Sequence, residues 1–167
     1  MFSVNDTIHY AGSGVCRIQE ISTMRFGRTR EQYYVLKPLH QNTSVIYVPL
    51  KNEQLVAKMR PMLSREQVEA LIVRIGEIEP VWNDDINQRK LQFDEMLRSG
   101  SCEDLVSIIK SLLAQRNRRL AEGKMLHVSD ENYLREAQRL LFDELAGVLG
   151  VTPKDVEARL KDALNKA

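Results

Sequence analysis

Apolar and polar positions change their rhythm once along this chain. Through about residue 60, short runs rich in β-branched and aromatic residues are cut by turn residues, and they predict strands over residues 7–10, 15–23, 32–36, 43–48 and 55–58. The cuts are Gly12-Ser13-Gly14, Phe26-Gly27-Arg28, His40-Gln41-Asn42 and Pro49. Five short strands in so little chain point to a small, strongly bent sheet or barrel. After Leu63 the period becomes helical. Ser64-Arg65-Glu66-Gln67 is a capping box, followed by Val68, Leu71, Ile72 and Ile75 before Gly76. Asn83 can cap a second helix, with Asp84 and Asp85 favourable to its dipole, Ile86, Phe93, Met96 and Leu97 on its stripe, and Ser99-Gly100 at its close.

Ser101-Cys102-Glu103-Asp104 opens a third helix, whose Leu105, Ile108, Ile109, Leu112 and Leu113 make one buried face. Ser129 is the expected cap of a fourth, carrying Tyr133, Leu134, Ala137, Leu140, Leu141, Leu145 and Val148 up to Gly150. Thr152-Pro153 begins a fifth, with Val156, Leu160 and Leu164 inward. The expected fold class is α+β with two domains: a small β-barrel over residues 1–62, then an all-α bundle of about five helices over residues 63–167. Residues 59–63 read as a short junction. No internal repeat or low-complexity linker is visible.

Composition narrows the class without naming a function. An apolar fraction of 43% with 28% charged residues is that of a globular chain with a real core. Runs such as Val45-Ile46-Tyr47-Val48 are too short to span a bilayer, and Met1-Phe2-Ser3-Val4-Asn5-Asp6 does not resemble a signal peptide, so the cytoplasm is expected. The net charge of +1 divides into +4 for residues 1–62 (8 basic, 4 acidic) and −3 for residues 63–167 (16 basic, 19 acidic). An acidic partner suits the first part; phosphate contact in the second needs local clustering of charge.

Catalysis and metal chemistry find little to work with. Cys16 and Cys102 are far apart, and His9, His40 and His127 are scattered, so neither a zinc site nor any cofactor is expected. Gly12-Ser13-Gly14 lacks the rest of a phosphate loop and leads into a strand, which makes it a turn. Asp84-Asp85 is what a helix dipole favours at its start rather than a catalytic pair. Nothing supplies a nucleophile, a base and an orienting group together, so neither an enzyme nor a small-molecule substrate is expected.

Three features carry a binding reading beside a structural one. The strand at residues 43–48 is either a core strand or an edge strand whose free backbone groups receive a partner's strand. The basic residues Arg116, Arg118, Arg119 and Lys124 either balance a helix dipole or approach phosphates, and Arg89-Lys90 can join them. Trp82, the single tryptophan, follows Pro80 at an element boundary. It is either a seal between helices with its N–H satisfied at the edge, or a wedge offered to a partner.

The order of these features resembles the CarD/CdnL family of bacterial transcription regulators. The resemblance runs through Phe2-Ser3-Val4-Asn5-Asp6-Thr7-Ile8-His9-Tyr10, Gly14-Val15, Ile18, Tyr33-Tyr34-Val35-Leu36, Ile46-Tyr47-Val48-Pro49, Arg60, Trp82, and Leu134, Ala137, Leu140, Leu141 and Glu144-Leu145. It covers essentially the whole chain. It implies a Tudor-like N-terminal domain that docks on the β subunit of RNA polymerase and a helical C-terminal domain that meets promoter DNA. It further implies that Trp82 wedges into the minor groove at the upstream edge of the bubble, stabilising the open complex.

The implied docking residues are Met24, Arg25, Thr43, Ser44, Val45, Ile46 and Tyr47; the implied DNA side comprises Trp82, Arg89, Lys90, Arg116, Arg118, Arg119 and Lys124. Departures accompany the match. Met24 and Tyr47 stand where some relatives have arginine, Asn83-Asp84-Asp85 follows the tryptophan where some have basic residues, Glu131 lies near another often-basic position, and Asn5 and Ala11 replace a usual glycine and proline. The contrasting reading is a protein–protein adaptor that docks through its β domain, seals its bundle with Trp82 and never touches DNA.

Overall fold

A computed structural model describes residues 1–40 and 44–166. The chain divides into two compact units, Met1–Met62 and Leu63–Ala167. The first holds β1 (Thr7–Tyr10), β2 (Gly14–Phe26), β3 (Thr29–Pro38), β4 (Ile46–Pro49), a single helical turn α1 (Glu53–Val56) and β5 (Met59–Pro61). All strand pairs are antiparallel, in the order β4-β3-β2-β1-β5. This is the expected Tudor-like β domain.

Turn chemistry sets the connections. The β1–β2 turn closes with Ser13 N–H donating to Tyr10 O at 3.0 Å. The β2–β3 hairpin turns on Gly27-Arg28, where Gly27 has φ 63°, a value that costs glycine nothing. The register shifts between Ile18 and Glu20, so that Ile18 lies opposite Leu36 while Ile21 lies opposite Tyr34. One extra residue reverses the alternation and keeps Ile18 and Ile21 on one face despite their odd spacing. Ile8, Tyr10, Cys16, Ile18, Tyr34, Leu36, Val48 and Met59 make the core of this unit.

Two expectations fail here. Residues 55–58 are not a strand: Asn52 caps α1, its side chain accepting from Leu55 N–H at 3.1 Å, and this diverts the chain into a helical turn. The fifth strand is Met59–Pro61, inside the stretch read as a junction. It forms because β1 offers it an edge, with His9 opposite Arg60. The β2–β3 hairpin is also longer than its apolar runs suggested, since its outer half is exposed on one face and only partly covered on the other.

The second unit contains α2 (Arg65–Arg74), a 3-10 turn at Ile75–Glu77, α3 (Ile86–Ser99), α4 (Cys102–Ala121), α5 (Val128–Leu149) and α6 (Pro153–Leu164). The stripes of α4 and α5 pack on each other, and Leu105, Ile108, Ile109, Leu112, Leu134, Leu140, Leu141 and Leu145 are almost wholly buried. Ser64, Ser101 and Thr152 cap their helices as their spacing predicts. Two caps lie elsewhere. Asp85, not Asn83, caps α3, accepting from the N–H groups of Asn87 and Gln88 at 2.9 Å. Helix α5 starts at Val128 after His127 rather than at Ser129. No helix among the described residues is long and apolar enough to cross a membrane.

Candidate nucleic-acid interface and docking face

Trp82 ends an extended strap that runs from the 3-10 turn to α3, and α4 holds this strap with three polar side chains. Lys110 Nζ donates to Ile75 O (3.1 Å), Gly76 O (3.4 Å) and Ile78 O (2.6 Å). Ser107 Oγ donates to Glu79 O at 2.8 Å, and Ser111 Oγ accepts from Val81 N–H at 2.7 Å. These three residues are spaced i, i+3 and i+4, so one face of α4 presents them together, and all are buried. Extended backbone cannot satisfy its own polar groups; the α4 side chains supply the partners.

The indole itself is half-buried and packs partly on the helical core. Its Nε1–H donates to Asp84 Oδ1 at 3.0 Å, and the Arg89 guanidinium carbon lies 4.1 Å from the ring centroid. Arg89 is only 3% exposed. Its Nε and Nη2 donate to Asp130 Oδ1 and Oδ2 at 3.0 and 2.8 Å, and its Nη1 donates to Asn83 O at 2.8 Å and Asp84 O at 3.4 Å. The sequence reading placed Arg89 among the phosphate contacts. In the structure this guanidinium is committed to a bidentate carboxylate and two carbonyls beneath the ring, which leaves little of its donor capacity for a phosphate.

The two acids after the tryptophan also find definite partners. Asp84 receives the indole N–H, and Asp85 caps α3. A second tie between α3 and α5 stands beside them: Tyr133 Oη donates to Asp94 Oδ1 at 2.6 Å, and its ring meets Phe93 edge-on at 5.4 Å. Burial, reinforced by the hydrogen bond to Asp94, pushes the Tyr133 phenol up to about 12.

A cleft of about 530 Å³ opens beside Trp82, walled by Asp84, Ile86, Gln115, Arg118, Arg119, Glu122, Leu126 and His127, with Arg89 and Asp130 also on its lining. Arg118 and Arg119, at the end of α4, thus share this cleft with the tryptophan. Arg118 is exposed, while Arg119 spends its Nε–H on Met125 O at 2.6 Å. Asp84 and Glu122 oppose them, so the cleft is mixed in charge. Arg116 lies 3.9 Å from Glu131 and Lys124 3.9 Å from Glu122; neither lines this cleft, and nor does Lys90.

In the β unit, β4 ends the sheet order and pairs with β3 alone among the described strands. Ser44, Val45 and Tyr47 are exposed and Ile46 is half-buried. Thr43 lies outside the described residues, as do Gln41 and Asn42. The register places Glu20, Ser22, Met24 and Phe26 of β2 on one face with Tyr33 and Glu31 of β3 and Tyr47 of β4. Arg25 and Ile46 fall on the other face. Phe26 and Tyr33 meet edge-on at 5.8 Å, and Phe26 is 60% exposed. Sequence reasoning missed this pair because it placed Phe26 in the turn, whereas the strands run on to Phe26 and Thr29 and the two-residue turn puts Phe26 and Tyr33 on one face. It also missed Ser107, Lys110, Ser111 and Asp130, whose only signal is polarity beside apolar stripes.

Among known proteins, residues 2–63 match the family model described as CarD-like/TRCF RID domain, and residues 74–161 match the one described as CarD, C-terminal domain. The chain is similar to the Bacillus subtilis (strain 168) protein named "Putative transcription factor YdeB", with 24% identity over 162 residues, covering 95% of this chain and 99% of that protein.

Proposed function

Since this chain belongs to the CarD family of transcription regulators that bind RNA polymerase, we propose that it stabilises the promoter open complex by wedging Trp82 into DNA at the upstream edge of the bubble. In this reading the β unit docks on the polymerase β subunit through the free edge of β4 and the face bearing Met24 and Tyr47. Backbone pairing at a sheet edge needs no particular side chain, so Met24 and Tyr47 in place of arginine are compatible with it. The family consists of transcription factors rather than enzymes.

The observation that carries the wedge is the setting of Trp82 at a cleft lined by Arg118 and Arg119. An indole there can occupy the space between unstacked base pairs while the two arginines approach the flanking phosphates. Arg116, Lys124 and Lys90 lie outside that cleft, so they enter only as more distant phosphate contacts. The wedge works without bond making: the protein binds melted DNA better than duplex, and the equilibrium shifts by that difference.

The test is open-complex lifetime on one promoter with wild-type protein and Trp82→Ala. Stacking on the scale of ~1–3 kcal/mol per base predicts a lifetime shortened about 5- to 150-fold in the variant. Equal lifetimes reject the wedge. The adaptor reading draws on the indole N–H being satisfied by Asp84, as a seal would have it. Binding of the chain to promoter DNA over a salt series separates the two: a steep loss with salt supports phosphate contact, and no binding at low salt supports the adaptor.

A further inference from the structure

We propose that Arg89 and Asp130 are positioning residues that fix the pose of Trp82 before any DNA arrives. What the pose does for DNA rests on the wedge reading above, but the clamp is a property of the free protein.

Burying a guanidinium and a carboxylate is costly unless their hydrogen bonds are satisfied, and an apolar pair would tie α3 to α5 at least as firmly. A charged pair adds direction. The two parallel bonds from Nε and Nη2 to Asp130 set the plane of the guanidinium, and Nη1 bonds to Asn83 O and Asp84 O index that plane to the backbone just after the indole. With the guanidinium carbon 4.1 Å from the ring centroid, the plane of the cation becomes a seat for one face of the indole.

The other supports act on the indole or on the backbone that flanks it. Ser111 holds Val81, the residue before it; Asp84 takes its N–H; Asp85 starts α3 three residues after it. Asp130 sits in the first turn of α5, so the seat is carried by a different helix from the one that bears Arg89. A side chain restrained in this way loses little rotamer freedom when it inserts between bases, which favours binding without adding a contact to DNA.

Trp82 is the chain's only tryptophan, so its fluorescence reports this site alone. In wild-type protein without DNA, the anisotropy decay should lack a large sub-nanosecond component. A dominant fast component overturns the clamp without any variant. Arg89→Lys keeps the charge but loses the planar fork; alternative indole poses should rise about 2- to 5-fold, read as stronger acrylamide quenching and a shifted emission. Asp130→Asn should move both signals in the same direction.

Unchanged quenching and emission in variants with native circular dichroism overturn the proposal. A freed indole with an unshortened open-complex lifetime, where Trp82→Ala does shorten it, leaves the wedge standing and overturns the positioning role. If Trp82→Ala has no effect on lifetime, the wedge falls, and the fluorescence alone decides whether the clamp exists.

Discussion

The β unit and the helical unit meet their surroundings in opposite ways. The β unit leaves main-chain groups of β4 unpaired by any described strand and sets exposed aromatics, Phe26 and Tyr47, on one face of its sheet. The helical unit directs buried polar side chains, Ser107, Lys110, Ser111, Arg89 and Asp130, to the segment around one half-buried indole. A sheet edge recognises through groups every residue carries, so it tolerates side-chain change. A single positioned side chain depends on each residue that orients it. The proposed docking surface should therefore be robust to substitution and the Trp82 site fragile.

The largest expected effect lies in the strap. Lys110→Met keeps the length and apolar stem of the side chain but removes the ammonium donor from the carbonyls of Gly76 and Ile78, and leaves Ile75 O with the Ile78 N–H alone. Hydrogen bonds from a charged group are worth about 1.5–3 kcal/mol each way in such settings, and a loss of that size is expected for the helical unit. Urea unfolding followed by Trp82 fluorescence measures it, while binding to the polymerase β subunit should remain at the wild-type level. A drop in polymerase affinity matching the loss of stability would remove the contrast between the units.

How far the sequence reveals each unit follows from the range of the interactions that define it. Helix stripes and the caps at Ser64, Ser101 and Thr152 are local signals, and each forms where its spacing places it. Where candidates adjoin, as in Asn83-Asp84-Asp85, local chemistry does not choose. Asn83 accepts from Asp85 N–H at 2.9 Å and so precedes the cap rather than forming it. Strand β5 has three residues, one a proline, and exists only because β1 offers an edge. Arg89 reads as half of a basic pair with Lys90, yet its carboxylate lies 41 residues away on α5. Charge counted along a chain does not reveal which cations are buried. Its solitary place at an element boundary marked Trp82 and the family resemblance implied its role; what holds it became visible only in three dimensions.

The edge strand gives the next test. Tyr47→Ala removes an exposed ring from β4 and leaves the backbone edge intact. Binding to the β subunit should weaken by about 1 kcal/mol, roughly fivefold, as for an interface residue outside the hot spots. A loss beyond a hundredfold would make the side-chain face, with Phe26 and Tyr33, the recognition element. Unchanged affinity would take Tyr47 out of the docking surface.

The smallest effect is at α6, and it tests whether the Trp82 site responds to orientation or merely to stability. The N–H and hydroxyl of Thr152 donate to Asp155 Oδ2 at 3.0 and 2.8 Å, holding that carboxyl below its ordinary range. A carboxylate depressed in the folded state contributes stability above its unfolded pKa, and this is lost as pH falls through the folded value. Asp155→Asn should therefore lower the denaturation midpoint slightly at neutral pH, and the gap to wild type should close below about pH 4. A gap that persists unchanged in acid would mean that the carboxylate charge is not its source. At neutral pH the same variant should leave acrylamide quenching of Trp82 untouched, because none of the bonds that seat the indole involves α6. Quenching that rises with any loss of stability, here as in Arg89→Lys, would mean that the indole follows the packing of the whole unit rather than the two residues beneath it.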